Sequence, residues 1–126
     1  MARVLVVDDD DVVREVVLAH LKRAGHLVLK ASAGQDALDA TAGRTPPDVA
    51  VVDIGLPDMD GFSLVSELRG RPGFEDIAII FLSGRIESPQ IEEGRRLGDA
   101  YLTKPFIASA LLKAIDRVVS VSEPSW

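Results

Sequence analysis

The sequence contains no cysteine, which excludes disulfides, thiolate nucleophiles and cysteine-ligated zinc. Its two histidines, His20 and His26, have no ligand spacing and read as a helix-face residue and a turn residue. Positive charge is scarce as well. Fourteen Lys and Arg against twenty Asp and Glu leave a net charge of −6. With a pI near 4.8 the chain has no field to draw in a phosphate backbone, so direct nucleic-acid binding is not expected. Long apolar runs are missing too: Val4-Leu5-Val6-Val7 stops at four consecutive aspartates, too short for a signal-peptide core or a membrane span. The expectation is a soluble, cytoplasmic protein without membrane contact. Internal repeats, linkers and low-complexity segments are also absent.

What remains is an ordinary globular composition, 47% hydrophobic and 27% charged, in 126 residues. That length suits one domain, expected over 1–121 with a tail over 122–126, and a chain of this size buries about two thirds of its surface without metals or disulfides. Val4-Leu5-Val6-Val7, Val49-Ala50-Val51-Val52 and Ile77-Ala78-Ile79-Ile80-Phe81-Leu82 are short, largely β-branched runs without alternation, as expected of parallel strands buried on both faces. Leu27-Val28-Leu29-Lys30 and Ala100-Tyr101-Leu102-Thr103 carry polar members and suit strands nearer the edges. Between the strands the period changes. Val13, Val16, Val17, His20, Leu21 and Ala24 form a helical stripe that Gly25 ends, and Ile107, Ala110, Leu111, Ala114, Ile115 and Val118 form another, with Pro105 placed to start it. Shorter helices fit 35–42, 61–69 behind Asp60, and 89–97 behind Ser88, the last being the weakest. Five strands alternating with five helices predict an α/β doubly wound parallel sheet of flavodoxin-like type, order 2-1-3-4-5.

In that order the first and third strands flank the point where the winding reverses, and ligands bind beyond the strands' carboxyl ends there. The first strand ends in Asp8-Asp9, the third in Asp53, the fourth in Ser83 and the fifth in Lys104; the second ends in nothing comparable. Three carboxylates therefore converge. At about 4 Å and an effective dielectric of about 20, each ionised pair repels by about 4 kcal/mol, which demands compensation. All-oxygen ligation points to a hard divalent cation, Mg²⁺ or Mn²⁺, which typically takes one or two carboxylates and leaves room for a phosphoryl group. Lys104 neutralises a further part, and Ser83 offers a hydroxyl donor. Taken singly, several of these residues have plainer roles. Asp10 and Asp11 suit a helix N-terminus, Asp53 a turn before Pro57, Gly55 and Gly84 ordinary turns, Tyr101 an edge-strand aromatic, and Arg95 and Arg96 a solvated helix face. The co-location of Asp8, Asp9, Asp53 and Lys104 at strand ends is what marks them as a site.

The runs Val4-Leu5-Val6-Val7-Asp8-Asp9, Val51-Val52-Asp53-Ile54-Gly55-Leu56-Pro57-Asp58-Met59-Asp60-Gly61, Phe81-Leu82-Ser83-Gly84 and Tyr101-Leu102-Thr103-Lys104-Pro105-Phe106 stand in an order that resembles a response-regulator receiver domain over about 3–119. The resemblance implies a two-component signalling domain whose Asp53 accepts a phosphoryl group from a sensor histidine kinase or phosphotransfer protein. It implies Mg²⁺ on Asp8, Asp9, Asp53 and the Gly55 main-chain carbonyl, phosphoryl oxygens held by Ser83 and Lys104, and Tyr101 as an aromatic switch with Ser83. Such a domain is a phosphoacceptor, not an enzyme acting on other molecules, and promotes only its own phosphorylation and dephosphorylation. The surface of the 89–97 helix, fifth strand and last helix would then control binding of a downstream protein or a phosphorylation-dependent dimer. Lys104-Pro105 resembles the family's cis peptide. Ser83 stands where threonine is common, the stretch between Leu97 and Tyr101 is one residue short, and Gly55 and Arg85 occupy positions that tune phosphoryl lifetime in the family.

Three other functions fit parts of the pattern. Asp8-Asp9-Asp10-Asp11-Val12 also matches the nucleophile motif of haloacid-dehalogenase-like phosphohydrolases, with Asp8 as nucleophile, but no acidic pair follows Ser83. A flavodoxin-like cofactor module needs Ser, Thr and Gly donors after the first strand, where four aspartates stand. A phosphorylation-independent receiver-fold module would not need the intact Asp8, Asp9, Asp53, Ser83, Lys104 set.

Overall fold

The computed structural model describes residues 1–84 and 98–122, the last three by backbone alone; the helix expected over 89–97 lies outside them. The elements are β1 (Arg3–Val7), α1 (Asp11–Arg23), β2 (Leu27–Ala31), α2 (Gly34–Thr41), β3 (Val49–Asp53), α3 (Gly61–Arg69), β4 (Ala78–Ser83), β5 (Ala100–Thr103) and α4 (Ala108–Ser122). All strand pairs are parallel, in the order β2-β1-β3-β4-β5. Four of the five expected helices thus fall within the described residues. The last extends one residue into the segment expected as a tail.

Because a strand's side chains alternate between faces, the unbroken apolar runs feed two cores. Val4, Val6, Val49, Val51, Ile80 and Leu82 pack beneath α1 and α4. Leu5, Val7, Ala50, Val52, Ile79 and Phe81 pack beneath α2 and α3, where Phe62 meets Phe81 edge-on with centroids 4.9 Å apart. Full burial of one such side chain is worth about 1.5–3 kcal/mol. The three central strands are therefore the most firmly held part of the described residues, and the carboxylates Asp8, Asp9 and Asp53 stand at the ends of two of them.

Helix ends follow local chemistry. Asp10 accepts the Val12 and Val13 amides at the start of α1, and Asp60 accepts the Ser63 amide at the start of α3. Gly25, at φ 91°, ends α1 with Gly25 N–H donating to the Lys22 carbonyl and His26 N–H to that of Leu21, the paired bonds of a Schellman motif. Three stripe residues are corrected, the first being Ala24, which is exposed as the C-cap of α1. Val16 is 51% exposed, because α1 seats Val17, Leu18 and Leu21 on the sheet. Ile107 is 70% exposed, because α4 begins only at Ala108 and Ile107 stands at its cap, its carbonyl accepting the Leu111 amide.

The β3–α3 loop is folded tightly. Gly61 N–H donates to the Ile54 carbonyl at 2.8 Å, and a Cβ on Gly61 would lie 2.6 Å from the Asp53 carbonyl oxygen and 2.9 Å from Ile54 Cα. Both obstacles are backbone, so they cannot swing aside. Gly61→Ala is expected to destabilise the fold by about 1–3 kcal/mol, read as a lower urea midpoint at unchanged slope.

Candidate phosphoacceptor site

Parallel pairing brings the carboxyl ends of β1 and β3 side by side, with Val7 opposite Val52. The residues that follow, Asp8 and Asp53, are consequently neighbours at the sheet's end. Asp8 is fully buried and Asp53 is 7% exposed. Carboxylate oxygens of Asp8, Asp9 and Asp53 all lie within 4.8 Å of one another. On the far side, Ile54 N–H donates to the Leu82 carbonyl and Lys104 N–H to the Ser83 carbonyl, at 2.9 and 2.7 Å, so the ends of β3, β4 and β5 are stitched in register. The buried Ser83 and the Lys104 side chain are delivered to the same edge. The Lys104-Pro105 peptide is cis.

Lys104 Nζ lies 2.8 Å from Asp8 Oδ2 and 3.3 Å from Asp53 Oδ2. The approach to Asp8 is an ion pair off the hydrogen-bonding direction, so this buried oxygen has a positive charge beside it and no aligned donor. Asp8 Oδ1 accepts the Asp10 amide at 2.9 Å, and Asp53 Oδ1 the Gly55 amide at 3.2 Å. Burial, and then the charge of Asp8, push the Asp53 carboxyl above its ordinary value, against the opposing pull of Lys104 and the Gly55 amide. Burial alone would lower the Lys104 ammonium, but its contacts with Asp8 and Asp53 outweigh this and raise it. The carboxylates carry more negative charge than one ammonium offsets, which leaves the cluster suited to a cation or to exchange of a charge partner.

The structure thus brings together Asp8, Asp9, Asp53 and Lys104, with Ser83 on the adjoining strand end and Gly55 bonded to Asp53 through its amide. Tyr101 is not in this cluster. It sits on β5 opposite Phe81 and packs against the α2–α3 core, its hydroxyl buried with no partner among the described residues. Two residues had no assigned role in the sequence. Arg14 reaches back from α1 to donate to the Asp8 carbonyl at 2.9 Å and pairs with Asp11, bracing the Asp8–Asp9 turn. Asp58 accepts the Gly34 and Gln35 amides at the start of α2. Arg14's helical spacing from Asp11 was a visible cue; nothing local signals the partners of Asp58.

The profile of the response regulator receiver domain matches residues 4–116. The chain belongs to the response regulator receiver family. Protein PilH of Pseudomonas aeruginosa is 36% identical over 121 residues, covering 95% of this chain and 99% of that protein. The transcriptional regulatory protein KdpE of Mycobacterium tuberculosis is 39% identical over 107 residues, covering 84% of this chain and 46% of its own length. Among solved structures, the chemotaxis response regulator CheY4 of Vibrio cholerae superposes with a TM-score of 0.86 at 33% identity, covering 94% of this chain and 98% of that one. This receiver domain functions in two-component phosphoacceptor signalling, which sets aside the phosphohydrolase and flavodoxin-like cofactor readings. Among the described residues, no helix is long and apolar enough to cross a membrane.

The receiver site makes stability depend on pH. A carboxyl with a raised folded-state pKa weakens folding as pH climbs from 3.8 through that raised value, since the unfolded chain ionises first. In metal-free protein, Asp53→Asn is expected to raise the urea midpoint at neutral pH, with the gain shrinking to nothing as pH falls below 3.8. Lys104 contributes stability that is full below 10.5 and is lost as pH rises through its higher folded-state value. A gain from Asp53→Asn that persists at low pH would contradict this account. The unpartnered Tyr101 hydroxyl gives a separate expectation: Tyr101→Phe keeps the ring's packing, removes a buried orphan and stabilises the fold by about 1 kcal/mol, measured by urea denaturation.

Proposed function

We propose that Asp53 is the phosphoacceptor, that Asp8, Asp9, Asp53 and the Gly55 main-chain carbonyl hold Mg²⁺ or Mn²⁺, and that Ser83 and Lys104 hold the phosphoryl oxygens. The observation that carries this reading is the convergence of three carboxylates within 4.8 Å under one ammonium that touches two of them. The donor set fits a hard cation: all ligands are oxygen, and buried Asp8 Oδ2 lacks an aligned hydrogen-bond donor. When bound, the cation supplies Lewis-acid neutralisation of phosphoryl charge.

The chain's own residues do the rest. Gly55 N–H and Lys104 hold the two oxygens of the Asp53 carboxylate, fixing its direction of attack. That carboxylate attacks the phosphorus of a phosphohistidine on a sensor histidine kinase or phosphotransfer protein. The new P–O bond forms as the P–N bond breaks, and the electron pair of the latter stays on the imidazole nitrogen. Lys104 turns from Asp53 to a phosphoryl oxygen, and the Ser83 hydroxyl donates to another. The same groups serve hydrolysis of the acyl phosphate; no reaction on other molecules is assigned.

The donor protein has ground to stand on. A groove of about 450 Å³ between α1 and the start of α4 opens beside Lys104, floored by Val13, Val17 and Phe106, with Val12 and Val16 exposed on its flank. A protein presenting a phosphohistidine to Asp53 covers this apolar ground, in the cytoplasm where such kinases expose their catalytic parts. On phosphorylation, Ser83 shifts towards the phosphoryl group and Tyr101 repacks behind it, altering the β5 and α4 surface offered to a downstream protein or a second copy.

Incubation with a small phosphodonor and Mg²⁺ is expected to add one phosphoryl group to the wild type by intact mass and none to Asp53→Asn. No adduct on the wild type would favour a phosphorylation-independent module; an adduct on Asp8 would sink the assignment of Asp53.

A further inference from the structure

Gly55 carries no side chain, is exposed, and has nothing within 4 Å of where a Cβ would stand. Its amide is tied to Asp53 and its main chain faces Asp60 in an isolated antiparallel bridge, so the peptide that bears the carbonyl assigned to the cation is oriented by the closure of this loop and not by side-chain packing. That peptide continues through Leu56 into Pro57. Proline locks its own φ and confines the residue before it to extended conformations, so Leu56-Pro57 is a stiff link and the position of Asp58 is transmitted back to the Gly55 carbonyl.

Asp58 is bolted to another element. α2 begins behind Ala33, whose side chain caps nothing, and the first two amides of the helix donate to Asp58 instead: Gly34 N–H to Oδ1 at 2.8 Å and Gln35 N–H to Oδ2 at 2.9 Å. The bond is bidentate and spans more than twenty residues. These two bonds hold the Asp58 carboxyl below its ordinary value. The neighbouring Met59 lies across Gly34 so closely that a Cβ there would be 2.4 Å from Met59 Cγ. Loop and helix are therefore fitted to each other by a polar clamp and by an apolar contact. The base of the loop closes on itself through Gly61 N–H and the Ile54 carbonyl and through the Gly55–Asp60 bridge, and Asp58 and Met59 tie the closed loop to α2 at its apex.

We infer that Asp58 is a positioning residue for the divalent cation, clamping the β3–α3 loop to α2 so that the Gly55 carbonyl is aimed at the carboxylate cluster. This rests on the reading above that the carbonyl is a ligand. Residues acting behind metal ligands affect metal affinity about 10–100-fold when removed.

The test separates positioning from helix stability. Mg²⁺ binding is measured by calorimetry without phosphodonor, beside urea denaturation, for wild type, Asp58→Ala and Asp58→Ala with Ala33→Ser. The second change gives α2 a cap of its own at a residue already in extended conformation. Asp58→Ala is expected to raise the Kd for Mg²⁺ about tenfold and to lower the urea midpoint. Ala33→Ser is expected to restore the midpoint and leave the Kd weak. Asp58→Asn, which keeps one acceptor oxygen, should fall between wild type and Asp58→Ala. An unchanged Kd in Asp58→Ala, or a Kd that recovers together with the midpoint, overturns the inference. A wild type that binds no Mg²⁺ fails differently, because it removes the cation site itself.

Discussion

Asp8 and Asp53 are buried carboxyl groups lodged at the ends of adjacent strands, and the Lys104 ammonium that touches both offsets their charge there. Two such charges near contact repel by about 4 kcal/mol at an effective dielectric of about 20, a large fraction of a small domain's net stability. The compensation is incomplete. Asp53 remains harder to ionise than a free carboxyl, and Asp8 Oδ2 has a charge beside it without a well-directed donor. A site in this condition responds strongly to any added cation and to any change in the charge of Asp53, since both change the partner of the same ammonium. Signalling by covalent modification needs a site of that kind, where a local change of charge is worth several kcal/mol.

Strain of this sort is tolerable because of where it is mounted. β1, β3 and β4 are buried on both faces, and their pairing runs continuously to Val7, Asp53 and Ser83. Bonds from Ile54 and Lys104 to the carbonyls of β4 carry the registration past the strand ends. The loops are braced from outside the sheet: Arg14 holds the Asp8 carbonyl from α1, and Asp58 holds the β3–α3 loop to α2. Positions are thereby held to within hydrogen-bond tolerances although the charges they carry repel.

The β5 edge of the sheet is less settled energetically. Among the described residues the buried Tyr101 hydroxyl has no partner, while its ring packs on the Phe81 side of the sheet. Ring burial favours this arrangement and the orphaned hydroxyl opposes it, so the two effects partly offset each other.

The amino-acid sequence by itself determined the strand order, the burial of the central strands on both faces and the convergence of Asp8, Asp9, Asp53 and Lys104. Unalternating β-branched runs and strand-terminal polar residues are local patterns, and parallel winding then leaves few topologies. It also specified the cap at Asp60 and the stop at Gly25, because a cap is made within a few residues of itself. Only the tertiary structure decided which flank of α1 is buried, since Val16 and Leu18 are both apolar at plausible helical spacings and the seat on the sheet chooses between them. It alone paired Lys104 with Asp8 as well as Asp53, and Asp58 with the start of α2. Those contacts join residues far apart in the chain, and no spacing rule encodes an interaction whose geometry exists only after the elements have packed.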